Sequence, residues 1–274
     1  MTPSLTDRTS LARFRARARR APALFLHEDV ADEIKERLTE VNRAFTAPAV
    51  VTPFPDLWQM VLPGATLVPD AEVLALDPGA HDLVIHALAL HWADDPLGQI
   101  IQCRRALRPD GLFIAALFGG QSLHELRAVL AQAESDLCGT LSPRVVPMGE
   151  IRDLGALLQR AGLALPVADS SARRVLYTDL RQLVRDLRAM GESNALDQRH
   201  RAPMSRALMQ RTEAIYRRTF GDEQGRLPAT VEILFLTGWA PDDTQQKPLR
   251  PGTAAARLAD ALGATETPLR NQGD

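Results

Sequence analysis

Two nearly unbroken apolar runs, HDLVIHALAL at residues 81–90 and LFIAALF at residues 112–118, restrict this chain more than any other feature. A strand with one wet face alternates apolar and polar side chains. A run without alternation belongs to a strand covered on both faces, as in a parallel sheet. Between the runs, PLGQIIQCRRAL (96–107) has helical spacing with Pro96 near its start, and RPDG (108–111) is a turn. Strand, helix, turn and strand in this order make a right-handed βαβ unit, and such units build doubly wound sheets that bind ligands beyond the carboxyl ends of their strands. The fold class is therefore α/β, a Rossmann-like, mostly parallel sheet with helices on both faces.

The flanking segments fill in the organisation. Residues 11–44 are dense in charge, place Val30, Ile34, Leu38 and Val41 on one helical face, and are divided by Pro22. Residues 1–45 thus read as a basic N-terminal helical arm. Its Arg13, Arg15, Arg17, Arg19 and Arg20 spread around a helix as a solvated face, with docking to an acidic partner or anionic surface as the second reading. Residues 47–80 are punctuated by six prolines, leaving 49–51, 57–62 and 65–68 as pieces long enough for a short strand or a helical turn. After the second apolar run come Gly119-Gly120, a helix over 122–137, a helix over 150–161 closed by Gly162, a strand over 163–168, and a further extended piece, RRVLY, ending at Tyr177. Residues 178–226 read as a helical cap insert around the loop GESNALDQRHRAP. The last strand, TVEILFLTGW (230–239), has one more polar face, which fits an edge or an antiparallel strand. Residues 46–240 form the main domain, and 241–274, rich in Pro, Gln, Thr and Asp, read as a flexible tail.

Composition excludes several classes. A formal net charge of -2 is no global nucleic-acid footprint. Cys103 and Cys138 are too few for a disulfide framework or a cysteine zinc cluster, and suit buried thiols in a reducing compartment. His86 and His91 lie five apart with no third ligand at metal spacing, so no metal is expected. No apolar run reaches the roughly 18 residues of a membrane span. The arm is read as retained, the compartment as cytoplasmic, and membrane contact as at most peripheral, through that arm.

The run from residue 81 to residue 127 resembles the middle of class I S-adenosylmethionine-dependent methyltransferases, where an "FDLV" strand leads to an "HW" pair, a helix, an "LKPGG" turn and a second strand. SLHELR, SPRVVPMGEIRDLGALLQRAG, DLRAMGESNAL and LPATVEILFLTGW extend the likeness over roughly residues 5–250, more strongly to the branch of the methyltransferase-fold assembly factor of mitochondrial respiratory complex I than to malonyl carrier-protein methyltransferases. The chain departs from the pattern in one place. These families follow their first strand with a D-x-G-x-G-x-G loop and end the second strand in an acid that holds the ribose. Here Thr52-Pro53-Phe54-Pro55 stands where the glycines belong, and the segment reads as too short for the usual first helix and second strand together.

The resemblance implies S-adenosyl-L-methionine as cofactor, with Asp70 on the adenine and Ala87, Leu88, Phe118 and Gly119 around the ligand. It implies His91 and Trp92 as catalytic or substrate-bordering residues, His91 as a candidate general base, and Glu125 and Asn194 on the substrate side. His86, inside the strand, reads as a satisfied core histidine. The function implied is that of a methyltransferase acting on a protein subunit, in particular a respiratory complex I subunit during assembly. The alternatives are a non-catalytic pseudo-methyltransferase serving as an assembly or binding factor, and an arginine hydroxylase on the same fold.

Overall fold

A computed structural model describes residues 4–245. Among them the elements run α1 (Arg8–Ala18), α2 (Phe25–Glu40), β1 (Pro48–Val51), α3 (Pro55–Val61), β2 (Thr66–Val68), β3 (His81–Ala87), a single 3-10 turn (Leu90–Trp92), α4 (Pro96–Ala106), β4 (Leu107–Phe118), α5 (His124–Cys138), α6 (Ile151–Arg160), β5 (Ala164–Tyr177), α7 (Leu180–Ala189), α8 (Arg206–Phe220) and β6 (Leu227–Trp239). The six strands form one sheet in the order β2-β1-β3-β4-β6-β5. β1, β2, β3 and β4 run parallel, with His86 of β3 opposite Ala115 of β4, while β6 is antiparallel to both of its neighbours.

The two apolar runs are the centre of this sheet, and their period of two divides the core. Leu83, Ile85, Ala87, Leu112, Ile114 and Ala116 face Leu26, Val30 and Ile34 of α2 and Trp58 of α3. Val84, Phe113, Ala115 and Leu117 face Ile100 and Cys103 of α4 and Leu154 and Leu158 of α6. A third cluster joins α5, α7 and α8 over β6, where the buried Tyr216 donates its hydroxyl to the Pro228 carbonyl at 2.8 Å.

Four expectations change. The proline-rich segment does hold both a helix and a second strand, in the minimal form of a seven-residue α3 and a three-residue β2. The pieces expected at 163–168 and 173–177 are one fourteen-residue strand, β5, pairing along β6. Residues 108–111, expected as a turn, lie within β4, while β6 takes the antiparallel alternative of the two expected for it, at an interior position. The expected arm contributes α2 to the cover of the sheet. Most of the expected tail, residues 246–274, lies outside the described residues.

Asp82, near the start of β3, ties that strand to the chain entering β1. Its carboxylate accepts from the Thr46 amide at 2.6 Å, the Thr46 hydroxyl at 2.9 Å and the Ala47 amide at 3.0 Å. Burial raises this carboxyl, but the bonds from Thr46 and Ala47 outweigh it and hold the group below the ordinary carboxylate range. Asp82→Ala should lower unfolding stability by about 1–2 kcal/mol near neutral pH, because three donors on Thr46 and Ala47 lose a charged acceptor. A carboxyl depressed in the folded state stabilises above its unfolded pKa. The difference between wild type and variant in urea unfolding should therefore shrink as pH falls below about 4.

Candidate functional site

The parallel strands direct their carboxyl ends to one edge of the sheet, where ligands collect in open α/β folds. β1 delivers Thr52, Pro53 and Phe54 there, β2 delivers Asp70, β3 delivers Leu88 and the turn carrying His91 and Trp92, and β4 delivers Gly119. Leu88 has a φ of +47°, a left-handed conformation for a bulky side chain, and its amide is held by the Ala116 carbonyl at 2.8 Å. Strain of this kind persists where the surroundings impose it, typically beside a site.

α1 lies across this edge. A β-bridge between Thr6 and Leu196 anchors it, and Asp94 accepts from the Leu5 amide at 3.0 Å and the Thr6 amide at 2.9 Å. Asp7 caps the helix by accepting from the Ser10 amide, and Arg199 of the cap loop reaches Asp7 at 3.0 Å. With its start fixed, α1 turns Leu11, Arg15 and Ala18 inward. Arg15 is ion-paired to Asp70, with side chains 5% and 8% exposed. Arg8 stands 3.6 Å from the same carboxylate and also donates to the Trp92 carbonyl at 3.2 Å.

Glu192, in the loop after α7, enters from the other side. Its Oε2 lies 3.0 Å from His91 Nε2 and accepts from Trp92 Nε1 at 2.8 Å. Burial pushes the Glu192 carboxyl up, yet His91, Arg15 and Trp92 together hold it below its usual value. Nε2 is the ring nitrogen that faces the carboxylate, and His91 Nδ1 is turned away from it. Among the described residues that atom has no hydrogen-bond partner, and neither do Arg15 Nε and Nη2, Asp70 Oδ2, His27 Nε2, Glu192 Oε1 or Ser193 Oγ. His27 feels Glu192, Arg15 and His91, and His86 feels Asp70, His91 and Arg15, so these groups form one cluster. Buried polar atoms without partners are rare, and a concentration of them marks a place for water or a ligand. Chemically, the cluster offers a histidine oriented by a carboxylate, the arrangement that makes imidazole a base. Among the described residues no three His, Cys, Asp or Glu side chains gather as metal ligands.

Above the cluster opens a cavity of about 740 Å³, bounded by α1, α5, α7 and the loops 143–148 and 192–204. Trp92, Phe118 and Asn194 line it, as does Glu192. His91 sits against it, its ring centroid 4.8 Å from that of Phe118. Ala87 is buried in the sheet. Asn194 stitches the cap loop to its neighbour, donating to the Pro143 carbonyl at 2.6 Å. Glu125 faces away from the cavity and accepts from the Thr230 amide at 3.1 Å and from its hydroxyl. At Gly119 a Cβ would lie 2.5 Å from Glu232 Oε2, so that glycine serves the approach of β6. His86 is the expected core histidine, bonded to Gln99 at 2.9 Å. Arg15 and His27 were not singled out for the site by sequence. The signal was the inward spacing Leu11–Arg15–Ala18, which puts one arginine on the apolar stripe of α1 and contradicts a wholly solvated face.

Comparison with known proteins agrees with this topology. A family described as a methyltransferase domain matches residues 34–115. The arginine-hydroxylase NDUFAF5, mitochondrial, of Danio rerio is 38% identical over 73% of this chain and 62% of its own length, and its Homo sapiens counterpart is 36% identical over 73% and 57%. The malonyl-[acyl-carrier protein] O-methyltransferase of Laribacter hongkongensis is 36% identical over 69% and 61%. The chain belongs to the class I S-adenosylmethionine-dependent methyltransferase superfamily. It spans about three fifths of the length of these curated relatives.

The superfamily's cofactor does not fit the residues present in its usual place. Pro53 and Pro55 have no N–H to offer, and the Phe54 amide is taken by Thr52 Oγ1 at 3.1 Å. Asp70 follows the strand beside β1, where the superfamily's ribose acid belongs, rather than standing apart as an adenine contact, and Arg15 and Arg8 already engage it.

Burial pushes both His27 and His86 down to about 4. An unfolded histidine titrates near 6.5, so the unfolded chain takes up protons first as pH falls. Stability should be full above about pH 6.5 and decline toward about pH 4. His86→Gln should flatten that decline in urea midpoints measured across this window.

Proposed function

We propose that this chain acts on a protein subunit during respiratory complex I assembly, as a methyltransferase-fold factor that does not hold S-adenosylmethionine in the superfamily's usual place. The observation that carries the reading is Arg15 seated on Asp70, with Pro53 and Pro55 replacing the backbone donors of the glycine-rich loop. The relatives named NDUFAF5 supply the expectation of a protein substrate or partner. Their name carries arginine hydroxylation. The local charge speaks against a guanidinium entering this cavity, since Arg13, Arg17 and Arg188 line it and the one carboxylate there is already engaged by His91 and Trp92. The proposed compartment is the cytoplasm, supported by two unpaired cysteines.

Methyl transfer is the second reading, favoured by one observation: the cavity beside Trp92 and Phe118 lies within the size range of cofactor sites. Such a reaction needs positioning more than strong acid–base groups.

Isothermal titration with S-adenosylmethionine separates the two. No saturable heat is expected up to about 1 mM ligand, a free energy of only about -4 kcal/mol. Micromolar binding abolished by Asp70→Ala would restore the methyltransferase reading. Tagged protein purified from its own cells should bring down a complex I subunit, and deletion should lower complex I activity. Neither outcome occurring would sink the assembly role.

A further inference from the structure

The cavity under the cap has two chemically distinct parts. One wall of it is aliphatic: Leu123, Leu126, Leu130, Leu180, Val184 and Leu187 line it from α5, α7 and the turns before them. A chain of CH2 groups gains roughly 0.8 kcal/mol per group buried in such surroundings.

The rim has the opposite character. Arg13, Arg17, Arg144, Arg188, Arg199 and Arg201 all line the same cavity. Three of them are committed: Arg144 to Glu134, Arg199 to Asp7 and Arg201 to Asp197. The other three have no carboxylate partner among the described residues. Arg13 reaches only Ser10 Oγ, at 3.3 Å, and Arg17 stands 5.5 Å over the Phe14 ring. Arg188, on α7, makes no side-chain hydrogen bond or ion pair among the described residues. All three are exposed and line the cavity, so they sit where it meets solvent. Arg13 and Arg17 are four apart on α1 and share a face, opposite Arg188 on α7. The single carboxylate of the cavity, Glu192, is held low by His91, Trp92 and Arg15, and leaves the rim's positive charge uncompensated.

We propose that this cavity binds a medium-chain fatty acid, with the alkyl chain among the leucines of α5 and α7 and the carboxylate between Arg13, Arg17 and Arg188. An aliphatic wall and a three-cation rim are complementary to the two ends of such a molecule, and a guanidinium pair donates directed N–H bonds to a carboxylate. The inference does not depend on the assembly role or on the cofactor reading, which the titration with S-adenosylmethionine tests separately.

The test uses dodecanoate below its micelle concentration and dodecan-1-ol as the neutral control, with the full chain and calorimetric titration. Saturable one-to-one binding of dodecanoate in the micromolar range is expected, weakening as salt screens the rim. Replacing Arg13, Arg17 and Arg188 together by Gln should weaken dodecanoate at least about tenfold while changing dodecan-1-ol by no more than about twofold. The corresponding triple Lys variant should keep most of the dodecanoate affinity. If the triple Gln variant fails to fold, Arg188→Gln alone, on the exposed side of α7, should give a loss of the same selectivity at about twofold to threefold. No saturable dodecanoate binding up to about 1 mM would overturn the proposal. So would an equal loss for acid and alcohol, or binding of anionic vesicles without binding of free dodecanoate.

Discussion

Arg15 and Asp70 are both more than nine-tenths buried, and they are oppositely charged. Removing two such ions from water costs several kcal/mol each, and their attraction repays this only with good geometry and further bonds. The structure provides these around the pair. Arg8 adds a second cation beside Asp70, and Glu192 adds a second anion whose carboxyl responds to Arg15. Two cations and two anions therefore balance across the crevice. The elements that aim them would have no reason to meet otherwise: α1 from the N-terminal end, the β2 end, and the loop after α7. The strap of residues 4–7, with its bridge to Leu196 and its bonds to Asp94, fixes α1 in the one register that turns Arg15 inward.

How much of this could be read beforehand follows from periodicity. β3 and residues 112–118 of β4 announce themselves because every side chain is buried, and an unbroken apolar run has few other destinations. β5 hides because its burial alternates along fourteen residues, so its apolar content never accumulates and the polar middle reads as a break. α3 and β2 are at the lower limit of length, set by the closely spaced prolines. At the site, Trp92 and Phe118 were legible as residues at strand ends, and both line the cavity. Of the two residues that the resemblance adds, Asn194 lines the cavity and also holds the cap loop, while Glu125 accepts from Thr230 of β6. Arg15 was obscured by its neighbours: among five arginines in eight residues, one buried arginine shows only through the company of Leu11 and Ala18.

The shortened segment after β1 and the inward helix α1 are two halves of one change. A loop able to approach a ligand needs glycines and free N–H groups, and Pro53-Phe54-Pro55 supplies neither. Asp70, left at the end of β2 without a ligand to satisfy it, would be an uncompensated buried charge, and that is among the costlier defects a fold can carry. Arg15 removes the defect and occupies the space. α1 in its present position therefore puts Arg15 on the carboxylate. The open volume has moved to the cap side, where Glu192 joins the sealed crevice to the cavity by holding His91 and Trp92 on one edge. A side chain or small molecule entering from the cap meets the leucines of α5 and α7 first and the His91–Glu192 pair behind them. Recognition in this chain therefore follows the cap and its arginines, while the parallel sheet retained from the superfamily keeps the scaffold.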